Sequence, residues 1–410
     1  MKKNIILFFS IFLLTGCSLY NEYKMPKEVI IKTYKRTYEV YSNKKIKDLI
    51  KKKNVEIINQ NEELNTKKIG KNTVTIEYKY KIWKHKLDVT YNVVDTIPPT
   101  LITAKLNFIT NINEDVNFCN NAIFIDNHDT RPNCSVDGNY DLSKEGDYNL
   151  NYVIKDKYDN STIQSFNLSV IDPENVEDSD EEYEDDYFED QTEDIESGVN
   201  FSDVVRSHKT NDTMIGIDIS RWQGDIDFNK VKSAGAEFVI MRIAVSNGPK
   251  DKIGLDSYYK KNIKKAKKAG LKVGVYFYTS ASSVNEIKEQ ANFIKKELKK
   301  EKLDFPIGYD FENWDKIQEY RLSKYNLMNY VDEFYKIVNK DGYEVMIYGS
   351  KLYLEHAWHN KKYPVWLAHY IPDYTEKSSY EGKYVMWQIC NDGLIDGING
   401  YVDINIYYKK

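Results

Sequence analysis

The sequence lacks any apolar run long enough to predict a transmembrane helix. Its N-terminal run, Ile5 to Leu14, has about half the length that a bilayer requires. A glycine-rich phosphate loop, a nucleic-acid-binding motif and the ordered Ser, His and Asp of a serine hydrolase are also missing. Histidine is scarce, and the pair His356 and His359 has no neighbouring Glu base and no matching third ligand for zinc. We therefore expect no metal, no other cofactor and no nucleic-acid partner.

The first residues, MKKNIILFFSIFLLTGC, combine two lysines, a short apolar run and small residues, which is typical of a signal peptide. The segment LTGC, ending at Cys17, resembles the lipobox of bacterial lipoproteins. That resemblance implies cleavage before Cys17 and lipid attachment to its thiol, with several acyl chains giving a stable membrane anchor. We expect signal residues 1–17 and a protein held on the extracellular face of a bacterial membrane, reaching into the cell wall. The alternative is an ordinary cleaved signal with a chance cysteine.

Cysteine is also rare, with four residues in the chain. Because an exported chain can form disulfides, Cys119 and Cys134 are candidates for a bridge that closes a short loop. Cys390 then has no partner and is expected to be a small buried hydrophobe. The sequence alone leaves the pairing open.

Charge is distributed unevenly. Residues 172–196 hold 15 acidic and no basic side chains, so the remainder has 58 basic against 48 acidic residues. We expect residues 173–208 to form a disordered, extended linker, because like charges repel and few apolar side chains are available for burial. The basic remainder favours an anionic surface such as wall polymer or lipid headgroups, although an ordinary solvated surface explains it equally well.

Two segments ahead of the linker, 67–95 and 142–172, share a pattern of a glycine turn, an alternating strand, a polar turn and a second alternating strand. Such alternation predicts β-sandwiches, over 26–95 and 96–172, joined by the paired prolines of DTIPPTL. The stretches DNHDTRPNCSVDG and GDYNLNYVIKDKYDN make the second unit resemble a bacterial surface immunoglobulin-like domain. The first unit matches that family more loosely.

From residue 209 the pattern changes to apolar strand-like runs that alternate with Lys-rich amphipathic segments. The runs are IGIDIS, FVIMRIAV, KVGVYFYT, FPIGYDFE, EVMIYGS, VWLAHY, VMWQIC and VDINIYY. Near-continuous apolar strands between helices predict a parallel sheet that is buried on both faces. Eight such strands in 209–410 predict an α/β, TIM-like barrel with some helices short or missing.

Residues at the carboxyl ends of barrel strands line the active site of such a fold. The predicted strand ends bring together carboxylates, aromatic side chains, an arginine and an amide: Asp218, Arg242, Tyr276, Tyr278, Asp310, Glu312, Trp366, Trp387, Gln388 and Asp403. Asp310 and Glu312, two apart in one strand, point to the same face. Two carboxylates among aromatic rings are what glycosidic cleavage needs, one as a protonated acid and one to stabilise or trap the cationic sugar. The alternative is a structural ion pair, for which Arg242 is the nearby candidate.

The stretches GIDISRWQGDIDF, AKKAGLKVGVYFYTSASSVNEIKEQANF, FPIGYDFEN and MWQICNDGLIDGINGYVDINIYY, among others, resemble the lysozymes of glycoside hydrolase family 25 over 214–408. The resemblance implies hydrolysis of the β-1,4 bond between N-acetylmuramic acid and N-acetylglucosamine in peptidoglycan. It further implies Glu312 as general acid and Asp310 as the assisting carboxylate, with Asp218 and Asp403 completing an acidic floor. The other strand-end residues are expected to bind substrate.

Two alternatives stay open at this point. A barrel that binds wall glycan without cutting it would make the protein an adhesin, although a binder has no need of matched acids. A different β-1,4-N-acetylhexosaminidase, such as a chitinase, would use the same chemistry on a plainer polymer. We expect the protein to be a monomer.

Overall fold

The computed structural model describes residues 26–173, 198–249, 251–360 and 362–409. The chain divides after Asp95 into two compact units, 1–95 and 96–410. The predicted signal peptide with Cys17, and the predicted linker up to residue 197, lie outside the described residues. Within the described ranges, no helix is both long and apolar enough to cross a bilayer.

The first unit is a small β-structure with its own apolar core. Its elements are β1 (Ile31–Thr33), β2 (Thr37–Glu39), α1 (Ile46–Leu49), β3 (Ile50–Lys53), β4 (Glu56–Ile57), β5 (Gly70–Tyr80) and β6 (Trp83–Val94). They form a four-stranded sheet in the order β2-β6-β5-β4 and a two-stranded sheet of β1 and β3. A two-residue turn joins β5 to β6, and its first residue, Lys81, has the positive φ of 55° that such tight hairpins need.

A second β-structure opens the second unit. Its strands are β7 (Thr100–Ala104), β8 (Asn107–Asn111), β9 (Ala122–Ile125), β10 (Asn133–Asp137), β11 (Gly146–Lys155) and β12 (Ser161–Ile171). They form a four-stranded sheet, β10-β11-β12-β8, and a two-stranded sheet, β7-β9. Phe108, Phe118 and Phe166 pack between them with ring centroids 5.0–5.4 Å apart. A disulfide joins Cys119 to Cys134. Two sheets around an aromatic core are what the alternating pattern predicts; the immunoglobulin-like assignment stays a prediction.

The rest of the second unit is built on one large sheet with surrounding helices. Its elements are α2 (Phe201–His208), β13 (Thr213–Ile219), α3 (Phe228–Ser233), β14 (Phe238–Ser246), β15 (Gly254–Leu255), α4 (Tyr259–Lys268), β16 (Lys272–Thr279), α5 (Val284–Leu298), β17 (Ile307–Phe311), α6 (Ile317–Tyr320), α7 (Lys324–Val338), β18 (Val345–Ser350), α8 (Lys351–His356), β19 (Val365–Ala368), β20 (Met386–Gly393) and β21 (Val402–Tyr408). Side chains of β13 and β17 are buried throughout, as expected for strands covered on both faces.

The two long helices start where the sequence supplies caps. Ser283 caps α5 by accepting a hydrogen bond from the Glu286 amide. Ser323 and Asn326 form a reciprocal capping box at the start of α7. These caps satisfy amides that the first helical turn leaves unpaired, so each helix begins at a defined residue and covers the sheet.

The large sheet closes on itself, but it is not the predicted TIM barrel. The pairs from β13 through β14, β16, β17, β18, β19 to β20 are parallel, whereas β21 runs antiparallel to both β20 and β13. The physical reason is the short connection between Gly393 and Val402. It is shorter than the crossover of a dozen or more residues that a parallel neighbour requires, so the strand returns as a hairpin.

The start of the barrel also differs from the prediction. Residues up to 208 were expected to belong to the linker, yet α2 is helical and packs into the barrel core. Phe201 is 2 % exposed and Val204 is fully buried. The Phe201 amide donates to the carbonyl oxygen of Leu394, and the Leu394 amide donates to that of Val199. These backbone hydrogen bonds join the segment to the chain after β20. Residues 198–208 are therefore part of the barrel, because α2 supplies apolar side chains that an acidic linker lacks.

Candidate active site

A cavity of about 260 Å³ lies where the parallel strands of the barrel end and β21 begins. It is lined by Asp218, Arg242, Tyr276, Tyr278, Asp310, Glu312, Tyr348, Trp366, Tyr370, Gln388 and Asp403. Every predicted site residue except Trp387 lines this cavity. Tyr348 and Tyr370, the last residue of the run VWLAHY, also line it; of these two, only Tyr348 was not expected at a strand end.

The sequence DFE places its two acids by simple alternation. Phe311 is fully buried in the barrel core, so its neighbours Asp310 and Glu312 point to the other side, into the cavity. Asp310 is 4 % exposed, whereas Glu312, just beyond the end of β17, reaches solvent at the mouth. The two carboxyls thus share a site but differ in depth.

Asp310 and Glu312 form a hydrogen bond with each other, which requires a proton on one of them. Desolvation raises the pKa of both carboxyls, and the nearby negative charge of Glu312 raises that of Asp310 further, well above its usual range. Of the two carboxyls, the deeper Asp310 has the more strongly raised pKa. Its Oδ1 is buried, and no hydrogen-bond donor of the described residues contacts it.

A second carboxyl pair forms the floor of the cavity. Burial raises the pKa of Asp403 well above its usual range, and this residue donates a hydrogen bond to Asp218. Burial also raises the pKa of Asp218, but three hydrogen bonds offset this by stabilising its charge. Besides that from Asp403, they come from Gln388 Nε2 at 2.8 Å and Asn405 Nδ2 at 2.7 Å, both to Oδ2. Asp218 is thus the better-stabilised anion of this pair.

Aromatic side chains orient the amides that hold Asp218. The hydroxyls of Tyr348 and Tyr370 donate to Gln388 Oε1 at 2.8 and 2.6 Å. This fixes the amide with its NH₂ group toward the carboxylate. On the other side, Trp366 Nε1 donates to Asn405 Oδ1 at 2.8 Å. Trp366 is therefore a buried positioning residue as well as part of the cavity lining.

Asn405 could have been found in the sequence. It lies two residues after Asp403 in VDINIYY, so alternation places both side chains on the same face of β21. Tyr348 carries a similar signal. In EVMIYGS it directly follows the apolar residues VMI and has a polar hydroxyl. What the sequence does not reveal is that Asn405 bonds to Asp218 directly, whereas Tyr348 acts on it through Gln388.

Arg242 does not form the ion pair that was the alternative explanation for the acids. Its guanidinium contacts Asp256, with Nη2 to Oδ2 at 3.0 Å and Nε to Oδ2 at 3.1 Å. Asp256 also accepts the amides of Arg221 and Tyr258. Arg242 still lowers the pKa of Asp310 through its charge, but weakly beside burial and Glu312. Among the residues that the structure describes, Asp310 and Glu312 thus form no salt bridge with a basic side chain.

Trp387 was predicted to bind substrate, and the structure corrects this. It neighbours Gln388 in β20, so its side chain points to the opposite face, into the barrel core, where it is 1 % exposed. Its Nε1 donates to the carbonyl oxygen of His369 at 2.8 Å. Trp387 supports the loop after β19 and does not reach the cavity.

A second cavity of about 350 Å³ adjoins the first and has an aromatic wall. Its lining includes Trp314 and Tyr353, whose rings stack at 4.1 Å and 7°. The two cavities share Glu312, Tyr348 and Tyr370, so Glu312 lies at their junction. Flat rings next to acidic groups suit sugar residues, whose C–H faces pack on aromatic surfaces while hydroxyls bond to carboxylates.

The arrangement defines a class of enzyme. A shared proton between two carboxyls, an anionic floor and an aromatic wall in a barrel mouth are the parts of a glycoside hydrolase.

Comparison with known proteins identifies the family. A profile of glycosyl hydrolases family 25 matches residues 217–398. The uncharacterised protein YegX of Escherichia coli O157:H7 is 30 % identical over 199 residues, covering 48 % of this chain and 70 % of YegX. The autolytic lysozyme of Clostridium acetobutylicum is 30 % identical over 202 residues, covering 47 % of this chain and 55 % of that protein. A family 25 glycosyl hydrolase structure from Bacillus anthracis has a TM-score of 0.41 and 22 % identity, covering 50 % of this chain and 92 % of that one.

The chain belongs to glycosyl hydrolases family 25. The predictions of an enzyme, and of a glycoside hydrolase of the lysozyme class, are thereby confirmed.

Proposed function

We propose that the protein is a muramidase that hydrolyses the β-1,4 bond between N-acetylmuramic acid and N-acetylglucosamine in peptidoglycan. Family membership and the lysozyme relatives support this substrate. The observation that carries the proposal is the hydrogen-bonded pair of Asp310 and Glu312 at the junction of two cavities. Sugar residues bound on the two sides of Glu312 would place the scissile bond beside it.

Glu312 is the residue positioned to protonate the leaving oxygen. It reaches the mouth and both cavities, whereas Asp310 lies deeper. The proton that the pair shares must lie on Glu312 when the bond is cleaved, so the more strongly raised pKa of Asp310 has to be offset once substrate is bound. Asp310, then ionised, would stabilise the cationic sugar or orient the substrate acetamido group as an internal nucleophile.

The closeness of the pair favours one stereochemical class. Inverting glycosidases keep their carboxyl groups roughly 6.5–9.5 Å apart to admit a water molecule. Carboxyls in hydrogen-bond contact leave no such space. We therefore propose a retaining outcome, either direct or assisted by the substrate.

The test is digestion of purified peptidoglycan by the full chain and by Glu312→Gln, with new reducing ends identified by mass spectrometry. Glu319→Gln is a matched control, because Glu319 is exposed and pairs with Lys316 away from the cavity. We expect N-acetylmuramic acid ends from the wild type and the control, and none from Glu312→Gln. Equal cleavage of chitin would favour a chitinase, and tight binding without new ends would favour an adhesin.

The N-terminal half of the chain suggests how the enzyme is attached to the membrane. We infer that Cys17 carries a lipid anchor, that the first unit and the acidic segment tether a monomeric catalytic unit, and that both β-structures are immunoglobulin-like. The lipobox-like LTGC and the two-sheet structures support this. Cys17→Ala should release the protein from membranes and abolish incorporation of a labelled fatty acid. Unchanged membrane retention and labelling would contradict the anchor.

A further inference from the structure

The second β-structure is joined to the barrel through a common core. Ile102 of β7 and Ile125 of β9 are 3 % and 0 % exposed and belong to the same apolar cluster as the barrel side chains. A spacer domain connected only by its linker would not bury side chains in its neighbour. These contacts predict that the two move as one body.

Hydrogen bonds fix the orientation of this contact. The Lys324 amide donates to the carbonyl oxygen of Asp126 at 2.9 Å, and Lys324 Nζ donates to Thr100 Oγ1 at 2.8 Å. Gln318 Nε2 donates to the carbonyl oxygen of Phe124 at 2.9 Å. Both Gln318 and Lys324 follow the catalytic strand β17, so the β-structure is held close to the elements that carry the acids.

A groove of about 1150 Å³ runs between the two parts. One wall is the segment from Ile97 to Ala104, together with Gln164 of β12; the other is formed by α8 and the loop after β19. Tyr370 lines both this groove and the catalytic cavity. The groove therefore adjoins the catalytic cavity at Tyr370.

The lining of the groove differs from that of the catalytic cavities. Tyr370 is its single aromatic ring of the Tyr, Trp or Phe type among the described residues, so it offers few platforms for sugar stacking. Instead it combines an apolar strip, including Pro98 and Leu101, with side chains of both charges, including Lys377 and Asp373. Mixed apolar and charged linings suit a short peptide with ionised ends and small side chains.

We propose that this groove binds the peptide stems that branch from the glycan strand of peptidoglycan, so that the second β-structure is part of the substrate site. This inference rests on the proposed muramidase function. It assigns part of the substrate recognition to residues of the second β-structure, such as Gln164, which lie outside the family 25 domain match of 217–398.

The experiment compares two substrates, intact peptidoglycan and the same glycan after an amidase has removed its peptides. Gln164→Trp places a large ring in the groove, and Ile163→Trp is its control. Ile163 is the next residue in β12, is 64 % exposed and faces away from the groove. Lys377→Glu reverses a charge in the groove, and Lys383→Glu reverses one outside it.

We expect both groove variants to lower kcat/KM roughly tenfold on intact peptidoglycan and to leave the peptide-free glycan within about twofold of wild type. The controls should match wild type on both substrates, and thermal unfolding should be unchanged in all four variants. Direct titration of a soluble stem peptide should show weaker binding to Gln164→Trp than to Ile163→Trp.

Two results would overturn the inference. Equal losses on both substrates would mean that the groove holds glycan, and no loss on either would mean that it holds no part of the substrate. If the wild type cleaves neither substrate, the proposed function fails instead. The peptide titration then still decides whether the groove binds peptide.

Discussion

Gln388 donates a hydrogen bond from Nε2 to Oδ2 of Asp218 at 2.8 Å, and this amide connects the acidic floor to the aromatic wall of the site. Its oxygen accepts from both Tyr348 and Tyr370, so its orientation is fixed on three sides. Because Tyr370 also lines the neighbouring groove, this hydrogen-bond network lies between the groove and the cavity with the four carboxyls.

Replacing this amide should impair the enzyme through Asp218. Gln388→Leu leaves two buried tyrosine hydroxyls without an acceptor and removes one hydrogen-bond donor from Asp218. Each buried polar group left unpaired costs about 1–3 kcal/mol of free energy. We expect kcat/KM on peptidoglycan to fall roughly 10- to 100-fold. The pKa of Asp218 should rise, because its charged form loses a hydrogen bond. A pH–rate profile with an unchanged shape would contradict this positioning role.

The buried proton of Asp310 should make stability depend on pH. Burial raises its pKa, so the native state keeps its proton to a higher pH than the unfolded state does. The stabilisation is fully present below the unfolded-state pKa of about 3.9 and disappears as pH rises through the higher native pKa. Asp310→Asn removes this dependence. Its unfolding temperature relative to wild type should therefore increase from pH 5 to pH 8, while activity is lost.

A matched exposed acid separates this effect from general charge. Asp315→Asn removes a carboxylate whose side chain is 68 % exposed, so its unfolding temperature relative to wild type should change little between the two pH values. Differential scanning calorimetry of the three proteins measures both comparisons. An Asp310→Asn difference that stays constant with pH would show that Asp310 is ionised in the native protein.

Arg242 forms its salt bridge with Asp256 and not with Asp310 or Glu312. The Asp256 carboxylate is buried, and the arginine side chain is 12 % exposed. Asp256→Asn leaves the guanidinium without its anion, and breaking a buried pair typically costs about 3–5 kcal/mol. The freed positive charge should also lower the pKa of Asp310 and move the alkaline limb of the pH–rate profile to lower pH. Loss of stability without any shift of that limb would mean that the pair is structural only.

Much of the barrel could be predicted because its strands are continuous apolar runs. The runs FVIMRIAV, KVGVYFYT and EVMIYGS correspond to β14, β16 and β18. The direction of the last strand could not be read from VDINIYY, because a strand buried on both faces has the same composition in either direction. Only the length of the preceding connection carried that information.

Alternation along a strand explains where the structure places several of the predicted site residues. Asp310 and Glu312 follow from the period of two, whereas Trp387 and Gln388 are adjacent and cannot both face the cavity. The Arg242 contact with Asp256 was beyond reach, because Asp256 lies in the segment after β15 and its position depends on the tertiary fold. Long-range polar pairs leave no local pattern.

The helix α2 provides a final test of where the barrel begins. Phe201 is 2 % exposed within the barrel core, so Phe201→Ala should destabilise the barrel by about 3–5 kcal/mol through lost burial and a residual cavity. Ser202→Ala, one residue later on the exposed side of the same helix, should have almost no effect. Urea unfolding of the full chain, followed by tryptophan fluorescence, measures both, because the tryptophans at 314, 358, 366 and 387 are buried in the barrel. Equal stability of the two variants would mean that residues before 209 do not contribute to the folded enzyme.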